Sequence, residues 1–152
     1  MGDARRGSGA ALASQARQFW ATKAYCPGSQ VVVTDVCVPI SWLAECVTET
    51  KRDIEGSGLI APIVGHVGAG NFHSAVLVRM DDAHEVARAE AYLERLAERA
   101  LAMEGTCTGE HGIGQRKRHF LELERGSVTV AAMRAIKHAL DPAGIMNPAK
   151  IF

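Results

Sequence analysis

Residues 59–80, "LIAPIVGHVGAGNFHSAVLVRM", restrict the fold more than any other stretch of the chain. Two runs rich in β-branched and apolar residues, 59–67 and 72–80, flank Gly68, Ala69 and Gly70. Glycine enters backbone conformations that other residues avoid, so this spacing predicts a hairpin turning at Gly68–Asn71. Upstream, "QVVVTDVCVPI" (30–40) reads as a buried strand. Between them, "SWLAECVTETKRDIEGSG" predicts a helix with Ser41 as N-cap, Leu43, Cys46 and Val47 on one face, and Gly56 as its stop. Residues 10–22 have helix-compatible composition, broken by "CPG" at 26–28.

After the hairpin, Asp81 or Asp82 begins the longest helix, which ends near Gly105. Its apolar residues Val86, Ala89, Leu93, Leu96, Ala100 and Leu101 recur at helical spacing. Two shorter helices follow at about 114–124 and 127–140, and the prolines of "DPAGIMNPAKIF" prevent the last from continuing. The order strand, helix, strand, strand, helix, then a helical C-terminal tail predicts an α+β fold. It is a ferredoxin-like antiparallel sheet with helices on one face. We expect one domain, residues 15–152, behind a flexible N-terminal tail, residues 1–14.

Composition narrows the partners. Seventeen basic and seventeen acidic residues cancel, so nothing favours nucleic acid or an anionic membrane surface. Aromatics make up only 5%, too few for base-stacking platforms. The apolar runs are too short to span a bilayer. Cys26, Cys37, Cys46 and Cys107 contain no C-x-x-C spacing and read as reduced thiols. The Arg-, Ala- and Ser-rich start weakly resembles a mitochondrial transit peptide, and reads more readily as a solvated tail entering a helix. The expected location is the mitochondrial matrix or the bacterial cytoplasm.

The chemistry-bearing residues sit in two glycine-rich loops. His66 and His73 flank the hairpin turn on facing strands about 5 Å apart. "GTCTGEHGIG" (105–114) adds Glu110 and His111. Together they could supply a His₂Glu metal site with open positions plus one non-coordinating base. Spacing alone leaves a second reading open, in which glycine-flanked histidines are merely turn residues. "QRKRHF" (115–120) reads as a solvated helix start, His84, His119 and His138 as surface residues, and Cys107 as a small buried residue.

Four ordered motifs, "TDVCVPIS", "GHVGAGNFH", "GTCTGEHGIG" with "KR" following, and "LDPAGIMNPAKIF", carry a resemblance. Over roughly residues 15–152 the chain resembles the C-terminal domain of FAD-linked oxidases of the vanillyl-alcohol oxidase superfamily, nearest the D-lactate dehydrogenase (cytochrome) and glycolate oxidase FAD-subunit branch. The resemblance implies that His66, His73 and Glu110 hold a divalent metal, zinc or manganese. His111 is then the catalytic base, and Asn147 lies near the flavin. It also implies an FAD-binding domain, which is expected to be absent from this chain because no stretch reads as a dinucleotide fold. FAD is therefore expected on a separate domain or partner subunit.

The chain also departs from the family pattern. Ala69 stands where the family loop carries aspartate, and Lys23 where a substrate-carboxylate arginine belongs. Lysine does not reproduce that bidentate clamp. Ala75 replaces an asparagine of the hydroxyglutarate-type enzymes, which argues for a small 2-hydroxy acid such as lactate or glycolate. The implied function is the substrate- and metal-binding part of an FAD-dependent D-2-hydroxyacid dehydrogenase, active only with its FAD-binding partner. Alternatives are a non-catalytic paralogue or structural subunit, and a stand-alone metal hydrolase.

Overall fold

The computed structural model describes residues 20, 21 and 23–152. The expected tail at 1–14 and most of the helical stretch at 10–22 lie outside them. The sheet is organised around one strand. In chain order the elements are β1 (Gln30–Val33), β2 (Val36–Cys37), α1 (Ile40–Ser57), β3 (Ile63–His66), a 3₁₀ turn (Val67–Ala69), β4 (Asn71–Val78), α2 (Ala83–Ala102), α3 (Arg118–Arg125) and α4 (Ser127–Leu140). β4 is central and antiparallel to all three other strands, with β3 on one side and β1 and β2 in succession on the other.

This is the expected α+β arrangement, an antiparallel sheet with helices on one face. From β4, Phe72, Val76 and Val78 point to the helical side. There they meet Leu43 and Cys46 of α1 and Ala89, Tyr92, Leu96 and Ala100 of α2 in the main core. A smaller cluster of Ala97, Cys107 and Phe120 attaches α3 to α2. Burying a valine, leucine or phenylalanine side chain in these clusters contributes roughly 1.5–3 kcal/mol.

Several element boundaries differ from the sequence expectation, each for a local reason. α1 begins at Ile40 behind Pro39, so Ser41 lies inside the helix and is not its N-cap. The helix runs through Gly56 to Ser57, and Gly58, at φ 67°, is the left-handed cap. α2 does start at Asp82, whose carboxylate accepts the N–H groups of His84 and Glu85 at 2.9 and 3.2 Å. The hairpin turns through Val67–Gly70, with Gly70 at φ 70°. α3 begins at Arg118, after a run of turns, rather than at about 114.

The predicted strand at 30–40 is interrupted at Thr34–Asp35, although β1 and β2 keep one register with β4. Thr34 N–H donates to the Ser74 carbonyl at 2.9 Å, but Ser74 N–H turns to the Thr34 side-chain Oγ1 at 2.6 Å. The Thr34 carbonyl is thereby left for another donor. On the helical side a buried hydroxyl chain runs from Thr34 through Ser74 (2.9 Å) to Tyr92 (2.7 Å). Burial pushes the Tyr92 phenol up to about 12, against a smaller opposing effect of its bond to Ser74.

Candidate functional site

The face of the sheet opposite the helices carries the polar constellation. His73 on β4 pairs with Val64, and His66 at the end of β3 pairs with Asn71, so the two histidines are diagonal neighbours on one face. Their ring centroids are 6.0 Å apart at 85°. The carbonyl released by the ladder interruption receives His73. Nδ1 of His73 lies 2.9 Å from the Thr34 oxygen, which can only accept, so Nδ1 donates there and Nε2 is the nitrogen turned toward Glu110.

Glu110 and His111 come from the long loop between α2 and α3. Glu110 Oε1 is 3.1 Å from His73 Nε2 and 3.8 Å from His111 Nε2. The His111 ring stacks on that of His73, 5.2 Å between centroids and 17° from parallel. Ligand atoms of His66, His73 and Glu110 all lie within 4.8 Å of one another. Small side-chain rotations would bring them to one ion with bonds of about 2 Å. Glu110 and His111 are about half exposed, while His73 is buried. The three residues thus combine an anchored donor with two reachable from solvent.

What brings this loop to the sheet is Asp35, a residue the sequence reading did not single out. Its buried carboxylate accepts Glu110 N–H at 2.9 Å, His111 N–H at 2.7 Å and the Thr108 hydroxyl at 3.0 Å through Oδ2. Oδ1 accepts Asn71 Nδ2 at 3.1 Å. Burial by itself would raise the Asp35 pKa, but these donors prevail and hold it at about 2. The usable signal was a polar Thr-Asp pair inside an otherwise apolar β run.

Gly109 completes the closure. A Cβ there would sit 1.8 Å from Asn71 Nδ2 and 2.8 Å from Asp35 Oδ1, so the loop backbone lies directly on the side chains that hold it. Lys117 supports the same junction. Its ammonium donates to the carbonyls of Asp35 (2.7 Å) and Cys107 (2.6 Å), 4.0 Å from Asp35 Oδ2. Desolvation lowers its pKa against the opposing pull of Asp35. "QRKRHF" is therefore not a wholly solvated helix start: burial of Lys117 follows from two backbone carbonyls that need a donor. Cys107 is buried as expected, and burial together with Glu124 pushes its thiol up to about 12. His84, His119 and His138 are exposed as expected.

Two candidate residues stand apart. Lys23 is exposed with its ammonium 5.6 Å from the Trp20 ring centre, and among the described residues no hydrogen bond or ion pair joins it to the site. Asn147 is exposed at φ 47°, its carbonyl accepting Lys150 N–H at 3.2 Å. The segment carrying it does reach the site loop, through Ile151 N–H on the Gly114 carbonyl at 2.9 Å and Arg118 Nε on the Ile151 carbonyl at 3.1 Å.

This sheet and loop define a class. The chain belongs to the FAD linked oxidases, C-terminal domain family, whose model matches residues 4–151. It is 48% identical over 133 residues to a Danio rerio protein named "Probable D-lactate dehydrogenase, mitochondrial", covering 88% of this chain and 27% of that one. It is also 48% identical over 124 residues to "D-lactate dehydrogenase [cytochrome] 1, mitochondrial" of Saccharomyces cerevisiae, covering 82% and 21%. The chain thus spans about a quarter of the length of these relatives. A solved 4-ethylphenol oxidase from Gulosibacter chungangensis, in complex with isoeugenol, superposes with TM-score 0.57 over 85% of this chain and 25% of its own. At 18% identity that likeness concerns the fold alone. None of the described helices is long and apolar enough to cross a membrane.

Proposed function

We propose that this chain is the substrate- and metal-binding part of an FAD-dependent D-2-hydroxyacid dehydrogenase that acts on a small acid such as D-lactate. The observation that carries the reading is the convergence of His66, His73 and Glu110 within 4.8 Å, with the tautomer of His73 set by Thr34. Two imidazoles and one carboxylate suit zinc or manganese. An ion held there would act as a Lewis acid on the substrate hydroxyl and orient its carboxylate. Within reach of the same point, His111 is half exposed and stacked on His73, placed to take the hydroxyl proton. Ala75, two residues along β4 from His73, offers no polar side chain to a distal group of the substrate, which favours a short side chain on the acid.

FAD does not fit these residues. Every strand pairing among the described residues is antiparallel, and they contain no parallel βαβ unit of the kind that cradles a dinucleotide. The flavin belongs on a partner domain or subunit, and in the complete flavoprotein it supplies the two-electron acceptor. The relatives named as mitochondrial support a mitochondrial location for the assembly, with the bacterial cytoplasm as the alternative.

Metal titration tests the first half of the proposal. Zn²⁺ or Mn²⁺ should bind the chain one to one, and His73→Ala should weaken binding by more than about 100-fold, since even outer contacts to ligands are worth 10- to 100-fold. Stoichiometric binding unchanged by His73→Ala would end the metal assignment. For the second half, His111→Ala in the flavin-loaded complex should slow D-lactate oxidation by about 10²–10⁴-fold with metal still bound.

A further inference from the structure

The sheet has an edge that this chain does not close. Along β4 the even-numbered residues bond toward β1 and β2, as in Thr34 N–H to the Ser74 carbonyl. The odd-numbered ones bond toward β3, as in Leu77 N–H to the Ile60 carbonyl at 2.9 Å. By the antiparallel alternation, the N–H and C=O groups of Val31, Val33, Asp35 and Cys37 point away from the sheet. Two of these four outward positions are engaged. Cys37 exchanges both bonds with Thr106 at 3.2 and 2.7 Å, and the Asp35 carbonyl takes Lys117 Nζ. At Val31 and Val33 no partner lies on that side among the described residues.

Edge strands left open are normally blunted by proline, charge or a bulge. "QVVV" has none of these, whereas the opposite edge strand, β3, enters through Pro62 and contains Gly65. Beside the open edge runs a groove of about 650 Å³ between β1, α2 and α3, floored by Val32, Val78, Val86, Leu93 and Phe120, with Met80 half exposed at its rim. Unpaired backbone and an apolar groove thus lie side by side, the combination that recognises an added strand.

We propose that the outward edge of β1 at Val31 and Val33 receives an extended strand from the portion of the flavoprotein that the longer relatives carry outside the matched stretch. Alternate apolar side chains of that strand fill the groove. A second copy of this chain fits less well: paired through its own β1, it would offer Val32, which already packs on its own core, and leave the groove empty. Roughly three quarters of each matched relative lies beyond the match, which supplies the chain length for such a strand. The inference rests on the reading that this chain works within a longer flavoprotein, and not on the metal.

The test mixes the chain with the separately produced remainder of the Danio rerio relative and follows amide hydrogen exchange. The expected result is a complex in which exchange at Val31 and Val33 slows at least 10-fold. Val33→Pro should weaken it at least 10-fold with an unchanged circular-dichroism melt, because the amide it removes faces away from β4. Val33→Lys is the second variant should the proline variant fail to fold, and should weaken the complex as well. No complex, a complex without protection at these two amides, or undiminished binding by both variants overturns the proposal. So does a homodimer of the chain that protects the same amides. His66→Ala should leave this association intact, so failure of the metal assignment and failure of the strand assignment are read separately.

Discussion

The carboxylate of Asp35 accepts the backbone N–H of His111 at 2.7 Å, across 76 residues of chain. Through that bond and its neighbour on Glu110, one buried acid at a strand interruption determines where a ligand candidate and a base candidate stand relative to His73. The candidate site is thus assembled by backbone hydrogen bonds to a group that is not itself among the proposed ligands.

Removing that group should therefore cost both stability and site geometry. Asp35→Ala leaves the N–H groups of Glu110 and His111, the Thr108 hydroxyl and the Asn71 amide without their acceptor and removes the charge 4.0 Å from the Lys117 ammonium, and should destabilise the fold by about 3 kcal/mol in urea denaturation. Metal affinity should fall by about 10- to 100-fold even though no ligand is altered. Wild-type affinity in a folded Asp35→Ala variant would show that the loop finds its place without the bond.

Gly109 and Gly68 should respond differently to the same methyl group. At Gly109 the added Cβ overlaps Asn71 and Asp35, so Gly109→Ala should destabilise by about 1–3 kcal/mol. At Gly68 nothing lies within 4 Å, and Gly68→Ala should stay within about 0.5 kcal/mol of wild type. Thermal melts of the two variants side by side measure the contrast.

Lys117→Met should destabilise by about 2 kcal/mol by chemical denaturation, because the Asp35 and Cys107 carbonyls lose a shared donor in a half-buried position. Lys117→Arg should not restore wild-type stability, since a planar guanidinium cannot occupy the position of a compact ammonium between two carbonyls.

The acid side of the stability profile should carry a signature of Asp53. It joins α1 to α2 by accepting Arg95 Nη2 at 2.6 Å and Arg99 Nη2 at 2.8 Å. Burial would raise its pKa, but the two arginines outweigh that and hold it below its ordinary 3.8. A depressed folded-state pKa stabilises the fold above the unfolded value, and the benefit disappears as pH falls below about 4. Denaturation midpoints measured from pH 6 downward should drop more steeply in wild type than in Asp53→Asn. The variant should already be weaker at pH 6, by about 1 kcal/mol.

Much of this protein could be read without coordinates. Runs rich in β-branched and apolar residues marked the strands, helical periodicity marked α2, Asp81 or Asp82 marked its start, and the order of elements implied an antiparallel sheet covered by helices on one face. The two glycine-rich loops and their His and Glu residues stood out because few side chains surround them. These are local patterns, set by backbone sterics and by the periods of strand and helix, and they survive in the linear text.

Tertiary structure decided the rest. Asp35 lay unmarked inside a predicted strand and Lys117 inside a predicted solvated helix start, because a separation of 82 positions reveals nothing of the bond that joins them. Which nitrogen of His73 faces outward depends on a carbonyl released by a ladder defect 39 residues away. Ser41 and Gly56 had suitable chemistry for helix ends, but the strand before α1 and the turn after it placed the ends at Pro39 and Gly58. Backbone propensity acts over a few neighbouring residues. Desolvation and hydrogen-bond satisfaction act on whatever the folded chain brings into contact, and they chose the residues that build this site.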